Sequence, residues 1–260
     1  MPLISSLFNT INDTIFPPRC LGCGTIGNWI CQNCTNRHLT TTLPECGVCR
    51  RLSSGFDTHE GCRTPSFPIS KLLIKWRYSE LPKRIMRTFK YHFRYRILQT
   101  IVDPCLDLVR RHIPPDTLLV PVPSATSSVR HRGFNQSQLI AKYIAARLGY
   151  ETIQPLKRTQ TSTHQAGLAR EERLKLKESS FYLDSYYRLK LAHRKLAIID
   201  DVCTTGKTLT ACARILKQTN PRKIYAFCLF RGSRRGNYKR KTNAHHLPQR
   251  LPTAPSTSLP

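Results

Sequence analysis

The chain has 260 residues, 40% of them hydrophobic, with 42 Lys and Arg against 15 Asp and Glu, a formal net charge of +27 and a pI near 10.2. That length admits one full domain and a smaller second one, the absence of any run of eighteen apolar residues excludes a membrane-spanning helix, and the positive balance favours polyanions such as nucleic acid, nucleotides or an anionic membrane. Seven of the eleven cysteines crowd into positions 20 to 62; with no secretion signal, such clustering argues for metal sites and against disulfides.

The first stretch, MPLISSLFNTINDTIF, lacks a basic n-region and a continuous apolar core. It does not read as a signal peptide and is expected to form a short amphipathic helix. Up to residue 66 the chain carries four ligand pairs, each with two residues between its members: Cys20/Cys23, Cys31/Cys34, Cys46/Cys49 and His59/Cys62. Such a knuckle turns both donors toward one tetrahedral centre, and two knuckles complete a closed structural Zn²⁺ site. Sequential pairing gives one site from the first four cysteines and another from Cys46, Cys49, His59 and Cys62; an interleaved pairing fits the spacing too. A segment this short has little core, so metal binding would supply its folding energy.

From Phe67 the chain is strongly basic. ISKLLIKWRY predicts a strand, Pro82 opens a helix through Ile85, Met86 and Phe89, and Ile97–His112 predicts a second helix stopped by Pro114 and Pro115. Basic residues here alternate with Phe89, Tyr91, Phe93 and Tyr95, a pattern that could track a single-stranded backbone, though core packing of the aromatics is the reading we prefer. TLLVPVPS is an apolar run that should leave its sheet at Pro121, because proline cannot continue the ladder. A helix with Leu139, Ile140, Tyr143, Ile144 and Leu148 on one stripe ends at Gly149. Arg130, His131 and Arg132 precede it, near its positive end, where an anion could sit. SSFYL predicts an edge strand and Lys190–Ile199 a buried one. A helix over Thr208–Gln218 and the strand KIYAFCLF follow. Residues 233–260 are basic and then rich in Pro, Ser and Thr; they read as a disordered tail able to add nonspecific affinity for nucleic acid. Cys105, Cys212 and Cys228 are expected to pack as small hydrophobes, whereas Cys203, in a loop, is expected to be accessible.

The chemistry concentrates in LAIIDDVCTTGKT, residues 196 to 208. A buried strand runs into adjacent carboxylates, a loop of small hydroxyl residues and a helix. In an open parallel α/β sheet, ligands bind beyond the carboxyl ends of the strands, and a loop entering a helix there offers N–H groups to an anion. Paired acids beside it suit a ligand with hydroxyls or a bound Mg²⁺. Gly206-Lys207-Thr208 is not a P-loop, which requires glycine where Asp201 stands.

This segment resembles the phosphoribosyl pyrophosphate (PRPP) loop of type I phosphoribosyltransferases. That pattern is a hydrophobic strand, two acids, an apolar residue, two variable residues, Thr or Ser, Gly, a variable residue, and Thr or Ser. It falls here on Asp200, Asp201, Val202, Cys203, Thr204, Thr205, Gly206, Lys207 and Thr208. The resemblance implies that Asp200 and Asp201, the catalytic acids, hold the ribose hydroxyls. It implies that Thr204, Thr205, Gly206, Lys207 and Thr208 hold the 5′-phosphate. The loop at Pro123 and Ser124, with Arg132 beyond it, would hold the pyrophosphate. Cysteine pairs, a VPVP strand, Arg132-Gly133-Phe134-Asn135-Gln136-Ser137 and the PRPP loop, in that order over residues 20 to 232, resemble the narrower ComF/GntX family. That family is associated with competence for DNA uptake and with gluconate utilisation. Its pattern also matches Arg158, Gln165, Leu168 and Arg173, placed like the mobile loop that closes over PRPP; Leu176 and Gln160 depart from it.

The expected architecture is therefore α/β: a type I phosphoribosyltransferase-like parallel sheet flanked by helices over residues 67–232, preceded by a small zinc-ribbon domain over 1–66 and followed by the tail. The resemblance implies a cytoplasmic protein that binds PRPP with Mg²⁺. It would transfer phosphoribosyl to an acceptor or, alternatively, act without turnover as a single-stranded-DNA-binding competence factor alongside other competence proteins.

Overall fold

The computed structural model describes residues 17–91, 95–159 and 180–232. Five parallel strands form the main sheet: β1 (Lys71–Arg77), β2 (Thr117–Pro121), β3 (Glu151–Thr152), β6 (Lys195–Cys203) and β7 (Lys223–Arg231). Their order across the sheet is β1-β7-β6-β2-β3, each neighbouring pair parallel. The central strands are nearly all apolar because both faces of a parallel sheet are covered. Side chains alternate between the faces. Leu73, Leu119, Ala197, Ile199 and Phe227 pack on one side, where α2 (Glu80–Tyr91), α3 (Tyr95–His112) and α5 (Gln136–Leu148) lie. Leu72, Leu118, Leu196, Ile198 and Ala226 pack on the other, against Leu209, Cys212 and Leu216 of α7 (Lys207–Lys217).

The cysteine-rich segment joins this body directly. It carries one described helix, α1 (Gln32–His38), and its Ile30, Leu39 and Phe56 share a buried cluster with Trp76, Ile85 and Phe89. It also covers the free edge of β1: Thr42 N–H donates to Lys75 O at 2.9 Å, Arg77 N–H to Thr40 O at 2.8 Å and Thr58 N–H to Ser70 O at 2.8 Å. An edge strand closed in this way offers no template for pairing with another chain.

Several expectations are met. The sheet leaves its ladder at Pro121, α5 ends at Gly149 with φ 76°, Phe89 is fully buried, and so are Cys105, Cys212 and Cys228. Others change. The SSFYL strand is not an edge of the main sheet. As β5 (Phe181–Leu183) it pairs antiparallel with β4 (Leu156–Arg158) in a separate two-stranded ladder, whose Leu156 and Phe181 pack on the α7 side. The strand expected over 190–199 begins at Lys195, after a short helix α6 (Arg188–Leu191) and a turn with His193 at φ 57°. It continues through both acids to Cys203, since β7 is long enough to pair with it there. Arg130–Arg132 lie in their own helix, α4 (Thr126–Arg132), capped by Gly133 in the left-handed region. Cys203 is buried. The expected amino-terminal helix, Gln165, Leu168, Arg173 and the tail lie outside the described residues.

Candidate functional site

The carboxyl ends of adjacent strands β6 and β2 bring together residues far apart in sequence. Asp200 is only 8% exposed, and its Oδ1 accepts from Ser137 Oγ at 3.0 Å and from Asp201 N–H at 2.9 Å. Burial, reinforced by the Asp201 charge, pushes its carboxyl up to about 8. Asp201 stays open enough to meet a ligand, with Lys90 Nζ of α2 at 3.9 Å.

The loop after these acids enters α7 through Gly206, at φ 79°. A side chain there would strain the backbone by roughly 1–2 kcal/mol. Gly206 brings no capping side chain and the first turn of α7 holds no acid; Lys207 N–H donates to Thr205 Oγ1 at 3.4 Å, and the helix N-terminus carries positive potential toward the loop. Thr204, Thr205, Lys207 and Thr208 are all exposed around it.

On the β2 side, Val122 N–H donates to Ile199 O at 2.9 Å, keeping Pro123 and Ser124 beside the acids. The residues Arg132–Ser137 each have a physical task. Arg132 Nη1 donates to Gln136 Oε1 at 2.9 Å and its Nε to Ser128 O at 3.0 Å, so Arg132 braces α4 against α5. The Phe134 ring packs against Phe89 at a tilt of 49°, with centroids 6.1 Å apart. Asn135 donates to Val122 O at 2.9 Å and accepts from Ser124 Oγ at 3.0 Å and from Ser137 N–H at 3.1 Å, joining the β2 loop to the start of α5. Ser137 then reaches Asp200. The buried Gln136 Nε2 has no hydrogen-bond partner among the described residues, a donor placed to receive one. Arg158 lies on the β4–β5 ladder, 5.4 Å from the Phe181 ring centroid. Thr159 N–H donates to Ser180 O at 2.9 Å, so the chain departs and returns at neighbouring points around residues 160–179.

In the amino-terminal segment the sequential pairing holds. The donor atoms of Cys20, Cys23, Cys31 and Cys34, and separately those of Cys46, Cys49, His59 and Cys62, all lie within 4.8 Å of one another. Cys23 and Cys31 sulfurs are 3.6 Å apart and Cys49 Sγ is 3.3 Å from His59 Nδ1. Tetrahedral zinc with thiolate and imidazole ligands sets such edges at about 3.5–3.8 Å, so both clusters could hold zinc. His59 Nε2 donates to Leu52 O at 3.0 Å. A carbonyl can only accept, which leaves Nδ1 as the bare nitrogen facing the cysteines. Burial raises the Cys20 thiol, but N–H groups of Cys31, Cys23 and Gly22 outweigh it and bring it down to about 6. The same opposition brings Cys46 to about 7. Gly22 is required by close approach: a Cβ there would sit 2.5 Å from Cys34 Sγ.

Contacts between distant segments were not visible in sequence. Lys90 stands in the basic run with nothing to mark it. Ser137 closes the Arg132–Ser137 motif without announcing its acid partner. Arg50, at φ 63° in the second knuckle, donates from its guanidinium to Thr204 O.

A family model described as "Phosphoribosyl transferase domain" matches residues 150–247. The DNA utilization protein YhgH of Salmonella typhimurium is 32% identical over 229 residues, covering 79% of this chain and 92% of that protein. Competence protein F of Haemophilus influenzae is 25% identical over 211 residues, covering 78% and 91%. Among solved structures, a purine phosphoribosyltransferase from Pyrococcus horikoshii is 13% identical and covers 52% of this chain and 81% of that one, with a TM-score of 0.33. An adenine phosphoribosyltransferase from Leishmania tarentolae is 13% identical, covers 57% and 74%, and has a TM-score of 0.35. With its cysteine clusters ahead of a parallel sheet that carries a phosphoribosyltransferase domain, the chain belongs to the ComF/GntX family.

Proposed function

We propose that the crevice at the ends of β6 and β2 binds PRPP and that the chain transfers its phosphoribosyl group to an acceptor during DNA uptake. The observation that carries this reading is the buried Asp200 beside the more open Asp201, followed by a loop that enters α7 at Gly206 with no acid in the helix's first turn. In it, Thr204–Thr208 and the N–H groups of α7 receive the 5′-phosphate. Asp200 and Asp201 orient the ribose hydroxyls, and the loop at Pro123 and Ser124, braced by Asn135 and backed by Arg132, faces the pyrophosphate. Burial favours the neutral form of Asp200, which lowers the local negative charge that a polyphosphate must approach. Two carboxylates are too few to hold Mg²⁺ alone, and substrate oxygens complete such a shell; the ion would compensate charge on the departing pyrophosphate. The bond between ribose C1 and the pyrophosphate oxygen breaks, its electron pair leaving with pyrophosphate. A bond from the acceptor's nucleophilic atom to C1 forms, and the acceptor's proton passes to solvent. Gln165 and Arg173 belong to a segment that would close over the site and exclude water, with Arg158 at its base on the β4–β5 ladder.

In this reading residues 1–66 form a structural zinc-ribbon module with both clusters filled, residues 67–232 the catalytic domain and residues 233–260 a basic tail, and the chain works in the cytoplasm. No described helix is long and apolar enough to cross a membrane. A second reading, binding of single-stranded DNA beside other competence proteins without turnover, is favoured by the +27 charge. Calorimetric titration with PRPP and Mg²⁺ separates the two. Saturable heat in the wild type that falls at least a hundredfold in affinity in the Asp200→Asn/Asp201→Asn variant supports the phosphoribosyl site. A folded wild type that gives no heat removes it and leaves the DNA reading.

A further inference from the structure

The sheet order leaves a second opening at its carboxyl end, on the far side of β6 from β2. A cleft of about 470 Å³ lies there, between the ends of β1 and β7 and the second cysteine knuckle. That size suits a small ligand. It adjoins the phosphate loop: Arg50, on its wall, donates to Thr204 O, and Gly232 N–H donates to Cys203 O at 2.9 Å.

Its chemistry is specific in two respects. The first is charge. Arg50, Arg77 and Arg231 line it against a single carboxylate, Glu45. Glu45 is engaged by Arg231 at 2.5 Å, and Arg231 also donates to Cys203 Sγ at 3.3 Å. Arg77 has no acidic partner among the described residues, so the cleft holds positive charge in excess of its own acid. The second is apolar surface. Leu43 and Leu52, 62% and 69% exposed, stand on the same walls, and the Tyr78 ring is fixed beside Phe230 with centroids 5.8 Å apart. Guanidinium forks recognise carboxylate or phosphate, while leucines and an aromatic ring recognise a flat apolar body.

We propose that this cleft is the acceptor site and that it takes a small planar ring bearing an acidic group. The proposal rests on the phosphoribosyl reading, since it places the second reactant against the same phosphate loop.

The test uses the full-length, zinc-loaded chain and ligand-observed NMR titration with benzoate, its neutral isostere benzamide, and phenyl phosphate, each in the presence of saturating PRPP and Mg²⁺. Benzoate or phenyl phosphate should bind at least tenfold more tightly than benzamide, and the tighter of the two acids identifies the acidic group. Arg77→Gln should lower the affinity for that acid at least fivefold while PRPP affinity stays at the wild-type value. Thermal unfolding of the variant shows that it is folded. Benzamide binding as well as the acids, no binding by either acid, or wild-type acid affinity in Arg77→Gln overturns the proposal. PRPP binding is measured by calorimetry on the same protein preparations, so failure of the donor site appears as missing PRPP heat in the wild type and is distinct from failure of the cleft.

Discussion

Between residues 17 and 66 few apolar side chains are buried, and donor atoms gather instead into two tight clusters. In the sheet the proportions reverse: β7 buries all but its first residue and β6 most of its length, and helices cover both faces. The two regions share one buried cluster and the edge of β1, yet they depend on different forces. In the first, zinc bound by the two clusters would set direction through ligand geometry; in the second, it comes from area removed from water. The difference also separates tasks. The sheet carries the acids and the loop behind them, Thr204–Thr208, while the cysteine segment closes the sheet's edge and reaches that loop through Arg50.

The strongest way to break this contrast is to remove metal. Chelation, or Cys46→Ser, should forfeit on the order of 10 kcal/mol of metal-linked folding energy. Limited proteolysis should then cut between residues 40 and 66 while the sheet survives; a segment that stays resistant without zinc would contradict the assignment. A smaller and opposite effect is expected from Ile198→Ala, which opens a cavity in the middle of β6. It should cost about 2–5 kcal/mol in urea unfolding without loss of zinc by mass spectrometry.

The smallest effect changes sign. The Asp200 carboxyl is raised to about 8 from an ordinary value near 3.8, so the folded state keeps a proton that the unfolded state releases. Stability should therefore fall as pH rises from about 4 to about 8 and level off above. Asp200→Asn keeps the contacts of Ser137 Oγ and Asp201 N–H and should remove that slope, leaving the variant more stable than wild type at pH 8. Parallel pH profiles of thermal unfolding check it, and identical slopes in the two proteins would refute the raised carboxyl.

What was legible in sequence was what is contiguous. The four ligand pairs, the strand that breaks at Pro121, the helix stopped at Gly149 and the acids before Gly206 each announce themselves within a dozen residues. Partnership across the fold does not. Ser137 and Asp200, Lys90 and Asp201, Arg50 and Thr204 meet only because β2, β6 and the second knuckle converge, and no local pattern encodes that. SSFYL has strand character, but whether it joins the main sheet depends on where β4 lies. Cys203 looked exposed because the strand was expected to end at Ile199; pairing with β7 carries it through Cys203.

Hydrogen exchange of the zinc-loaded chain, with and without PRPP and Mg²⁺, tests most directly whether the end of β6 is a phosphoribosyl site. Binding there should slow exchange at the amides of Thr204 to Thr208 and in the first turn of α7, and this protection should vanish in Asp200→Asn/Asp201→Asn. Unchanged exchange at those amides under saturating PRPP, or protection confined to the basic surface, would contradict it.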